Sequence, residues 1–61
     1  LTEGFGPEAV KIYSMLSDTP IHADEICVQT GLTPSAVITA LIQLELEGFA
    51  EQTEGKNYIV S

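Results

Sequence analysis

A mainly α-helical domain closed by a small β-hairpin is the fold class this chain predicts, and three observations carry that reading. Cys27, Gly31 and Val37 stand four and six residues apart in a stretch that reads as helix, turn, helix. A helix-turn-helix needs a small residue at the crossing, a glycine at the turn and an aliphatic residue on the second helix. Residues 41–50 read Leu-Ile-Gln-Leu-Glu-Leu-Glu-Gly-Phe-Ala, the L-x-x-L-E-x-x-G pattern followed by an aromatic and a small apolar residue. Two short segments of strand type, 49–52 and 57–60, then flank a turn at 53–56. Together they predict a winged helix-turn-helix: three helices plus a wing.

The elements follow in order. Residues 1–7 read as a linker or tail and 8–61 as the domain. Pro7 opens the first helix with its fixed φ, and Glu8 sits beside the positive end of the dipole. Ala9, Ile12, Met15 and Leu16 keep helical spacing and are expected in the core, with Val10 and Tyr13 at its edge. The segment Asp18-Thr19-Pro20 is expected to end that helix, because a residue before proline avoids helical geometry. Pro20-Ile21-His22 reads as a short extended arm. His22 then opens the second helix, with Glu25 at capping-box spacing and Ile26 and Cys27 pointing inward. Gly31 ends it in the left-handed position. Thr33 caps the third helix, Pro34 occupies its first turn and Gly48 closes it.

Sixty-one residues make one small domain near the lower limit for an independent core. A single cysteine excludes an internal disulfide and suits a reducing, cytoplasmic setting, and no His/Cys cluster could hold a metal. The sequence implies no cofactor. No run approaches the roughly 18 apolar residues of a membrane span, and the start has neither a basic region nor an apolar one of signal-peptide type. The chain opens without Met on a linker-like stretch, so a module of a longer protein is expected. Nine acids against Lys11 and Lys56 give a net charge of −7. That balance disfavours nonspecific binding to nucleic acid or anionic membrane and favours solubility; scattered acids of this kind read first as a solvated surface and only second as a match for a basic partner.

The quoted motifs also carry a family resemblance. Pro20-Ile-His-Ala-Asp-Glu-Ile26, Thr30-Gly-Leu-Thr33, the 41–48 run and Gly55-Lys-Asn-Tyr58 resemble, in that order, the C-terminal winged-helix domain of the DprA/Smf family over residues 8–60. The resemblance implies a parent protein of DNA processing in natural transformation. Such a parent protects incoming single-stranded DNA and helps load a recombinase onto it, chiefly through a Rossmann-like domain. The winged helix is then an accessory. Many relatives place basic residues after the Gly-aliphatic pair and in the wing. Here those places hold Glu51, Gln52 and Glu54, and only Lys56 is positive.

Two candidate surfaces follow. As a DNA reader, the domain would offer Ser35, Ala36, Thr39 and Gln43 from the third helix and Lys56 from the wing. Residues 33–48 contain no Lys or Arg and carry only Glu45 and Glu47 as charges, whereas a strong binder neutralises about six to ten phosphates. The alternative is apolar. At about 100° per residue, Val37, Leu41 and Leu44 share a core-facing side, and Ile38, Ile42 and Leu46 fall at roughly 100°, 140° and 180° from Val37. This second stripe is expected to be a protein-binding surface for another domain, a partner or a second copy, with Leu46 furthest from the core, unless the wing or Phe5 covers it.

No enzyme is expected. His22 has no second histidine and reads as a helix-entry residue, and Cys27 has no activating base and reads as the buried crossing residue. Glu45 and Glu47, two apart on a helix, face different ways and make no carboxylate pair. Tyr13 and Tyr58 lack the interleaved cations of a single-strand binder and read as packing residues. The sequence reading is an accessory module working by protein or interdomain contact. The alternative is a DNA-binding winged helix, either a weak accessory site or part of a transcription regulator.

Overall fold

The computed structural model describes residues 4–61. In chain order it contains α1 (Pro7–Met15), β1 (Ile21–His22), α2 (Ala23–Thr30), α3 (Pro34–Leu46), β2 (Ala50–Gln52) and β3 (Asn57–Val60). This is the mainly helical winged-helix arrangement that the sequence predicts. The chain bends by 116° between α2 and α3, as a helix-turn-helix requires. No single helix among the described residues is long and apolar enough to cross a membrane.

Each helix begins and ends for a local reason. Pro7 occupies the first turn of α1. At α2 the His22 Nδ1 accepts from the Asp24 backbone N–H at 2.9 Å, which satisfies one of the donors left open at a helix start. The expected capping box is not formed: the Glu25 carboxylate instead accepts from Gln29 Nε2 at 2.7 Å, one turn on. Thr33 Oγ1 accepts from the Ala36 N–H and caps α3 as expected. Gly31, at φ 76°, ends α2 with its N–H on the Cys27 carbonyl at 2.9 Å.

The end of α3 explains the L-E-x-x-G-aromatic pattern. Phe49 N–H donates to the Leu44 carbonyl at 2.8 Å and Gly48 N–H to the Glu45 carbonyl at 3.1 Å, the paired bonds of a Schellman motif. That closure needs a left-handed residue, and Gly48 lies at φ 83°.

One boundary differs from expectation. The first helix ends at Met15, three residues before the Asp18-Thr19-Pro20 stop, with Leu16 extended at ψ 146°. A loop contact takes over there: the Ser17 carbonyl accepts from the N–H of Val60 in β3 at 2.8 Å. The arm before α2 joins the sheet. Ile21 pairs with Tyr58 and His22 with Asn57, so the strand order is β1-β3-β2, all antiparallel, with β3 central.

The core is Ala9, Ile12 and Leu16 from α1, Ala23 and Ile26 from α2, Val37, Ala40, Leu41 and Leu44 from α3, and Ala50 and Tyr58 from the sheet. Cys27 departs from its expected place as a buried crossing residue. It is only half-buried, and the small residues that are fully buried are Ala9, Ala23, Ala40 and Ala50. Cys27 instead packs against the margin of this core.

His22→Ala should cost about 1 kcal/mol in chemical denaturation, whereas His22→Asn, which restores an acceptor at the cap, should recover most of it.

Candidate functional site

The surface in question is the part of α3 that its own packing leaves over. Its core side is set by Val37, Ala40, Leu41 and Leu44, which are all buried. The other positions divide into two flanks and an exposed crest.

One flank turns toward the start of the chain. Gln43 Nε2 donates to the Gly4 carbonyl at 3.1 Å. Thr39, Ala36 and Gln43 line a cleft of about 250 Å³ with Gly6 and Glu8. Phe5 packs edge-to-face on Phe49 at 5.6 Å, and Tyr13 meets the same ring at 5.8 Å. Gly4 and Phe5, from the stretch read as a linker, are therefore packed against the domain, while residues 1–3 of that stretch lie outside the described residues. Of the DNA candidates, the structure brings Thr39 and Gln43 together in this cleft, beside the Glu8 carboxylate. Ser35 is exposed but does not line it, and Lys56 is exposed on the β2–β3 turn. The Lys56 carbonyl accepts from Ala23 N–H at 2.9 Å, which ties the wing to the start of α2.

The opposite flank carries Ile38 and Glu45. Ile38 is partly buried and packs against the core, so it does not stand on an open stripe with Ile42 and Leu46 as expected. The domain absorbs the stripe's first member because the helix face at that angle still borders the core. Glu45 lies close enough to Tyr58 to act on its phenol: burial first, and then the Glu45 carboxylate, raises the Tyr58 pKa above its ordinary 10.0. Tyr58 is thus a buried core residue and Tyr13 an aromatic-cluster residue, both packing as expected.

The crest is apolar. Ile42 is 50% exposed and Leu46 82% exposed. Val28 on α2, at 76%, is a third large exposed hydrophobic residue that sequence reasoning did not single out. The signal was present, since Val28 falls roughly 200° around the helix from the core residue Ile26.

Basic groups are scarce around these surfaces. Lys11 Nζ donates to the Thr30 carbonyl at 3.2 Å and so sits at the C-terminal end of α2. Among the described residues no carboxylate is paired with a lysine; the one ionisable contact is His22 with Asp24 at 3.8 Å. His22 is already engaged as a cap, and no cluster of ligating side chains among the described residues could hold a metal ion.

The family description "DprA winged helix domain" matches residues 4–56. This chain belongs to that family. Searches of the curated proteins and of the solved structures returned no match. The DprA match begins at residue 4, where the Gly4 carbonyl meets Gln43, and it ends within the wing at Lys56.

The Tyr58 environment gives a pH prediction. A phenol whose pKa is raised on folding contributes stability that is fully present below the unfolded value and lost as pH rises through the folded one. Stability should therefore decline above about pH 10, and Tyr58→Phe should flatten that alkaline limb of the denaturation profile.

Proposed function

We propose that this domain is an accessory module of a DprA-like DNA-processing protein and that it acts by protein contact. The partner is another domain of the parent chain or a separate protein, and the contact surface is the exposed crest of α3. The parent, on this reading, protects single-stranded DNA during natural transformation and helps load a recombinase onto it, in the cytoplasm. The observation that supports the reading best is the pairing of Leu46, 82% exposed, with Ile42 on a helix that has no cation. Burying one such leucine is worth about 1.5–3 kcal/mol, so an exposed one beside a second apolar residue favours a partner.

The DNA-reading alternative has less support. Phosphates position a DNA reader before its side chains reach bases, and each neutralised phosphate needs a cation. Of the two lysines, Lys11 already serves the Thr30 carbonyl, and Gln43, which would read a base edge, serves Gly4.

Two measurements test this. Titrating the isotope-labelled chain with single- and double-stranded oligonucleotides at physiological salt should leave its NMR spectrum unchanged. Shifts confined to Ser35, Thr39, Gln43 and Lys56 would establish the DNA alternative instead. Separately, Leu46→Gln, which adds no charge at the end of α3, should change folding stability by less than about 0.5 kcal/mol, as expected of a surface site. If it unfolds the domain, Leu46 belongs to the core and the contact surface does not exist.

A further inference from the structure

The chemistry of the partner can be read from the electrostatics at the end of α3, taking the protein-contact reading above as given. A helix C-terminus carries partial negative charge and is stabilised by cations. The other half of the helix-turn-helix follows this rule: Lys11 reaches across from α1 to the Thr30 carbonyl at the end of α2. The end of α3 does the opposite. Its last turn has no basic residue, Glu45 lies within it, and Glu47 follows immediately after Leu46. Two carboxylates thus stand at the negative pole of the longest helix, and no lysine among the described residues pairs with either. Between them in sequence is Leu46, the most exposed large hydrophobic residue described.

Such an arrangement works against the isolated fold. Acidic groups at a helix C-terminus are destabilising, and an exposed leucine contributes no burial. Both features become favourable if a surface with apolar side chains and flanking Lys or Arg covers them. We propose that the Ile42–Leu46 crest docks a basic amphipathic protein segment, whose apolar side chains cover Ile42 and Leu46 and whose cations meet Glu45 and Glu47. A second copy of this chain fits badly, because each brings a net charge of −7 and a two-fold contact through the crest would oppose like carboxylates. Nucleic acid fits worse, being itself an anion.

The test uses the intact chain and three model peptides: an amphipathic leucine–lysine helix, the same residues in scrambled order, and an amphipathic leucine–glutamate helix. The leucine–lysine helix alone should bind, with NMR shift changes centred on Ile42, Glu45, Leu46 and Glu47. Leu46→Ser should weaken it at least about tenfold. Glu47→Gln should weaken it about two- to fivefold while raising the melting midpoint, the signature of a carboxylate retained against the stability of the fold. Equal binding of the scrambled peptide would overturn the proposal, since bulk charge alone would explain it. Equal binding of the leucine–glutamate helix at Ile42 and Leu46 would overturn it too, but would leave the protein-contact reading standing. If no peptide perturbs Ile42 or Leu46, or if the chain alone self-associates through them, the basic-segment proposal falls. The contact reading itself, whose partner can be a folded domain, falls only by its own two tests.

Discussion

Burial of one side of α3 is the constraint on which the rest of the domain depends. Val37, Ala40, Leu41 and Leu44 form the centre of the core, and α1, α2 and β2 each pack directly on this helix. A domain of 61 residues has no second core to fall back on, so removing that contact leaves nothing for the other elements to enclose. The small residues on the neighbouring helices follow from it. Ala9, Ala23 and Ala40 let three helices approach closely, and the Schellman closure at Gly48 turns the chain so that Phe49 can meet Phe5 and Tyr13. The sheet completes the enclosure through Tyr58, the buried centre of its middle strand.

The same constraint decides what α3 has left to offer a partner. A helix that commits one side to the core keeps an outer crest, and in a DNA reader that crest is polar and cationic. Here the crest ends in Ile42 and Leu46 between acidic groups, and the polar flank faces the start of the chain, with Gln43 held by Gly4 and the exposed Thr39 lining a cleft shared with Glu8. A winged-helix scaffold is therefore combined with an exposed helix crest that is apolar and acidic rather than cationic. Fold and function separate at this point, because packing specifies the scaffold and only the exposed side chains specify what it meets.

Most of the architecture was legible in the chain because its signals are local. Pro7, Thr33-Pro34, Gly31 and Gly48 mark helix ends through backbone geometry that needs no distant partner. The wing strands were legible for a similar reason, since β-prone residues flank a turn containing Gly55. The early end of α1 at Met15 was not legible. It depends on Val60, far along the chain, taking the Ser17 carbonyl. Cys27 was misplaced because spacing identifies a small residue near the crossing without deciding which one the neighbouring helix touches. Glu25 was misassigned because its carboxylate takes the Gln29 amide one turn on instead of reaching back to the His22 N–H, a choice of side-chain partner that capping-box spacing does not decide.

By itself, the sequence determined the family pattern, the order of elements, the acidic charge and the absence of cations along α3, all properties of residue type and short-range spacing. The tertiary structure alone decided how much of the apolar stripe remains in water. Helical periodicity gives each side chain an angle, but exposure depends on what packs beside that angle. Ile38 meets the core and is partly covered, whereas Ile42 and Leu46 meet nothing comparable and stay exposed. The fate of Gln43 was decided in the same way, because only folding brings the Gly4 carbonyl, 39 residues away along the chain, within hydrogen-bonding reach of its amide.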